Sequence, residues 1–72
     1  MKCYLEDYRW CIHYFGKSCA DSILRQVKKL SYTKDNCPKV GDSIDMGGFY
    51  VDVMEVDLEN EKIHVIVDRV KR

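Results

Sequence analysis

Seventy-two residues make one domain, 1–72, which at this size buries roughly 60% of the surface its unfolded chain exposes, so its core is small. A composition of 46% hydrophobic and 33% charged residues excludes an intrinsically disordered chain, and no apolar run approaches the ~18 residues of a membrane span. The formal net charge of +0 argues against a domain held to nucleic acid by overall charge, and it removes long-range repulsion between copies, so self-association is expected to be easy.

The first segment carries two competing patterns. Tyr4, Leu5, Tyr8, Cys11, Ile12 and Phe15 fit a helical stripe ending at Gly16. From Tyr8 onward the residues also alternate, with Tyr8, Trp10, Ile12 and Tyr14 against Arg9, Cys11, His13 and Phe15. The density of aromatic residues and Ile favours a strand over 8–15 leading through Gly16 into a helix.

That helix is expected over residues 19–30, because Ala20, Ile23, Leu24, Val27 and Leu30 follow the i, i+3, i+4, i+7 spacing of one buried face. Ser18 is the expected N-cap, with Asp21 in the capping-box position and able to pair with Arg25. Arg25, Lys28 and Lys29 lie toward the C-terminal end, where the macrodipole favours cations. Gly16-Lys17-Ser18 has the ending of a phosphate-binding loop, but Cys11 stands where the pattern needs its first glycine, so a turn and cap is the expectation.

Residues 32–41 hold Asn36, Pro38 and Gly41 without a hydrophobic period and read as a loop. A β-meander follows. A short strand over 43–46 faces Ile44 and Met46 one way, and Gly47-Gly48 supplies positive φ for a two-residue hairpin turn. The return strand covers 49–57. Phe49, Val51 and Val53 share a face, after which the apolar phase moves to Met54 and Val56, predicting a β-bulge near Val53 and Met54. A turn at Glu59-Asn60-Glu61 leads into a strand over 62–70, with Ile63, Val65 and Val67 on one face. The expected fold is α+β, in the order β-α-β-β-β, with one amphipathic helix on a mostly antiparallel sheet of about four strands.

Charge is segregated along the chain. Residues 1–39 carry eight Lys or Arg against four Asp or Glu, whereas residues 40–61 carry seven acids and no base. Cys3, Cys11, Cys19 and Cys37 could pair in three ways, but without the n-region and h-region of an export signal the expectation is four reduced thiols in a cytoplasmic protein. Their spacing lacks the close pairs of a zinc site. A cysteine nucleophile with a histidine base is formally possible from Cys11 or Cys37 with His13 or His64. So short a chain leaves little room for a pocket, and neither a catalytic residue nor a cofactor nor a metal is expected.

The aromatic cluster and the acids are the informative features. One face of the 8–15 strand is expected outside; if it is the face of Tyr8, Trp10 and Tyr14, these have the composition of a protein-binding hot spot, the alternative being that they pack in the core. Glu55, Asp57, Glu59 and Glu61 suit a partner with a basic surface. The expected function is a small non-enzymatic protein-binding module that self-associates. In size and composition the chain resembles the small proteins of phages and mobile elements, among which inhibitors of host defence such as anti-CRISPR proteins are common. The alternative is a nucleic-acid-binding module using Lys17, Arg25, Lys28, Lys29 and Lys34 beside the aromatics.

Overall fold

The computed structural model describes residues 1–70. Its elements in chain order are β1 (Lys2–Leu5), α1 (Tyr8–Phe15), α2 (Lys17–Lys28), β2 (Ser43–Asp45), β3 (Phe49–Asp57) and β4 (Lys62–Val70). The class is α+β, with two helices beside a four-stranded sheet of order β1-β4-β3-β2. The sheet is mixed: β1 runs parallel to β4, while β2–β3 and β3–β4 are antiparallel.

The N-terminal expectation is corrected. Residues 8–15 are a helix, and the first strand lies earlier, where Cys3 and Leu5 alternate inward against exposed Lys2 and Tyr4. A strand over 8–15 would have placed Tyr8, Trp10, Ile12 and Tyr14 on one face. The helix instead turns Cys11 into the core with Tyr8 and Ile12 packed against it, and turns Trp10 and Tyr14 outward. Tyr8, Cys11 and Ile12, at i, i+3 and i+4, thus form the core-facing stripe of the helix. The order is therefore β-α-α-β-β-β.

Gly16 joins the two helices with φ 86° and ψ 160°, a conformation essentially confined to glycine. Its N–H closes α1 on the Ile12 carbonyl and its carbonyl opens α2 by accepting from Ala20. That backbone joint replaces the expected Ser18 cap, and no side-chain cap is present on α2. Ala20, Ile23 and Val27 are buried as expected, but Leu24 is only half-buried. Asp21 accepts a hydrogen bond from the Tyr8 hydroxyl, which ties α1 to α2.

The meander follows its pattern closely. Met46 N–H to Phe49 O, 2.9 Å, closes the β2–β3 turn, with positive φ at Gly47 but not at Gly48. Val53 pairs with Val65 and Glu55 with His64, so Met54 is the looped-out residue of a bulge and Val56 returns to the core face opposite Ile63. A second irregularity, between Tyr50 and Val51, leaves Asp68 as the extra residue of β4. Cys3, Leu5, Cys11, Ala20, Ile23, Val27, Phe49, Val51, Val53, Ile63 and Val65 form the core between helices and sheet. Among the described residues no helix is long and apolar enough to cross a membrane.

Candidate functional site

α1 begins where β1 ends, beside the part of β4 that β1 leaves unpaired. The parallel ladder stops at Leu5 opposite Val65. Past that point the Asp7 carboxylate accepts the Val67 N–H at 3.2 and 3.3 Å, standing in for a strand partner, and the Cys11 N–H bonds the Asp7 carbonyl to start the helix. Side chains three, four and seven positions on from Asp7 share one side of the helix. Asp7, Trp10, Cys11, Tyr14 and Phe15 accordingly face Ile66, Val67 and Asp68 across a cleft of about 450 Å³.

Trp10 and Tyr14 are the largest solvent-facing groups here, 60% and 66% exposed. Their rings stack at 5.4 Å with 13° between planes, the i, i+4 contact a helix provides. The His13 ring stands nearly perpendicular to both, 6.5 Å from Trp10 and 5.3 Å from Tyr14, and Phe15, 40% exposed, lies 6.5 Å from Tyr14. Tyr8 does not join this surface: it is half-buried and its hydroxyl is committed to Asp21, which raises its pKa through that hydrogen bond first.

The four acids are gathered elsewhere. Glu55 and Asp57 lie on β3 opposite His64 and Lys62, and Glu59 and Glu61 are exposed in the following turn. Asp57 accepts both the backbone and the side-chain N–H of Asn60, at 3.1 and 2.8 Å, and these bonds hold its carboxyl below the ordinary 3.8, the side-chain one foremost. Glu61 lies 3.8 Å from Lys34. This turn meets Lys2 at the start of β1. Val67 lies five positions beyond Lys62 on β4, about 16 Å at the usual strand rise, so aromatics and acids form two patches instead of one.

The basic residues also divide. Lys17 opens α2 and Lys28 closes it, about 16 Å apart along the axis; Arg25 and Lys29 lie near the latter end, and Lys34 is paired with Glu61. Lys28 does acquire neighbours that sequence reasoning missed: it lines a groove with Lys2 and Tyr4, and Lys62 Nζ sits 5.6 Å from the Tyr4 ring centroid. His64, beside Tyr4 at 6.0 Å, pairs with Glu6. No local signal joins Lys2 to Lys62, because their adjacency comes from parallel pairing across the chain. His13 and Phe15 were missable for a different reason, since only the helical reading of residues 8–15 groups them with Trp10 and Tyr14.

The thiols are poor nucleophiles where the structure buries them. Burial first, then the Asp7 charge, pushes Cys11 up to about 11, and burial raises Cys3. His13 belongs to the exposed ring cluster, so the Cys11–His13 pairing has no geometry behind it. Among the described residues no three His, Cys, Asp or Glu side chains converge as metal ligands. No family model, no curated protein and no solved structure matches this chain.

Proposed function

We propose that the chain is a small non-enzymatic protein-binding module whose contact surface is the outward side of α1. The supporting observation is the stacked, solvent-facing Trp10–Tyr14 pair beside a cleft. Aromatic side chains of this kind offer large buried area for little lost freedom, and an isolated domain gains nothing from leaving them wet. The acids Glu55, Asp57, Glu59 and Glu61 form a separate patch that steers a basic partner surface without touching the anchor. The resemblance in size and composition to inhibitors carried by phages and mobile elements makes a host-defence protein the first partner to try. Self-association belongs to the same reading, supported by the zero net charge.

Once a partner is in hand, Trp10→Ala is expected to leave the fold intact by circular dichroism and to weaken binding at least about tenfold through faster dissociation. Joint neutralisation of the four acids is expected to slow association and flatten its salt dependence. Surface plasmon resonance reads both rates. Unchanged dissociation of Trp10→Ala would rule out the α1 surface.

A second reading has one observation in its favour, the gathering of Lys2, Lys28 and Lys62 around exposed Tyr4. Such a cation–aromatic patch suits a single-stranded nucleic-acid backbone. A gel shift at two salt concentrations tests it: salt-sensitive retardation lost in Lys28→Glu supports this reading, and no retardation refutes it.

A further inference from the structure

Resting on the reading of α1 as a protein interface, we propose that the cleft between α1 and β4 receives an arginine side chain presented by the partner. The cleft has a defined sign. Its charged lining groups are both carboxylates, Asp7 and Asp68, and no basic side chain lines it. Asp7 is fixed in place by the Val67 N–H and stands 3.8 Å from the Cys11 thiol, so its charge cannot swing away into water. The remaining walls are aromatic or aliphatic: Trp10, Tyr14 and Phe15 from the helix, Ile66 and Val67 from the strand.

That combination selects a flat cation. A guanidinium is planar, weakly hydrated and able to lie on an aromatic ring while its fork of N–H groups meets a carboxylate. An ammonium is compact and strongly hydrated, and matches the aromatic wall less well. The apolar walls also thin the water that would otherwise screen the charge, which raises the value of a carboxylate at the rim. The groove around Tyr4, at the β1 edge of the sheet, sets Lys28 and Lys62 against one carboxylate, Glu6, whereas the α1–β4 cleft carries carboxylates alone, so an arginine is directed to the latter.

Trp10 is the sole tryptophan, so its emission reports directly on occupancy. The experiment titrates the folded chain with acetyl-Gly-Arg-Gly-amide and with the lysine and citrulline analogues, following Trp10 fluorescence and backbone amide shifts. The expected result is a saturable change with shifts confined to α1 and residues 66–68. The lysine and citrulline peptides are expected to bind at least about tenfold more weakly, and Asp68→Asn to weaken the arginine peptide about fivefold with an unchanged circular dichroism spectrum. Equal binding of the citrulline peptide, an unaffected Asp68→Asn variant, shifts centred on Tyr4, or no saturable response would each overturn the inference. The two readings fail separately. A partner lost by Trp10→Ala but indifferent to Asp68→Asn retains the interface and removes the arginine, whereas a partner indifferent to Trp10→Ala removes both.

Discussion

Cys11 carries a pH dependence that can be isolated at a single residue. It is 1% exposed, and its folded pKa stands at about 11 against an ordinary 9.0. An acid raised in this way favours the native state while protonated. Its contribution is complete below pH 9 and is lost as pH climbs through the interval up to about 11. Thermal melts of the wild type should therefore decline across that interval, and Cys11→Ala should show a flatter profile over the same range despite a lower starting Tm. The same burial orders the thiols kinetically: iodoacetamide at pH 8 should modify half-buried Cys19 and Cys37 before buried Cys3 and Cys11, read by mass spectrometry. Titration after denaturation should find four free thiols, and a count of two would contradict the free cysteines of the structure.

At the level of elements, the helix pair rests on one backbone position and one apolar stripe. An added Cβ at Gly16 meets nothing within 4 Å, so Gly16→Ala tests backbone strain alone and should cost about 1–3 kcal/mol. Ile23→Ala, 2% exposed, should cost about 2–5 kcal/mol, and Lys28→Ala less than about 0.5 kcal/mol. Leu24→Ala should fall between them because that side chain is only half-buried. Chemical denaturation of the four variants measures the series, and equal midpoints for Ile23→Ala and Lys28→Ala would misplace the buried face.

The elements most legible in the sequence were those whose determinants are local. Ile63 and Val65 alternate within β4, Gly47 sits at the β2–β3 turn, and the phase change at Met54 marks a bulge whatever the rest of the chain does. Residues 8–15 read equally as helix or strand because period two and period 3.6 both pass through Tyr8 and Ile12, and only the presence of β1 and α2 decides which set is inside. β1 is four residues long and is defined by its pairing with β4, so little in its own sequence marks it. The candidate site was legible in part for the same reason: Trp10 and Tyr14 share a side under either period, but period two leaves open which face is outside, and Tyr8, His13 and Phe15 change company with the period.

For the whole molecule, the parallel pairing of β1 with β4 has a consequence for how the fold is reached in time. Lys2 is in register with Lys62, so the first described strand pairs with the last. Every residue between must be placed or looped out before that ladder closes, and closure of so long a segment gains nothing until its final contacts form. Two helices and a meander can form early from near neighbours, but β1 must wait, with Cys3 and Leu5 uncovered on one side. On a ribosome the wait lasts until β4 has cleared the exit tunnel. Refolding followed by pulsed hydrogen exchange should then protect the amides of β3 before those of β1, and a chain ending at residue 57 should leave β1 unprotected however long it is given.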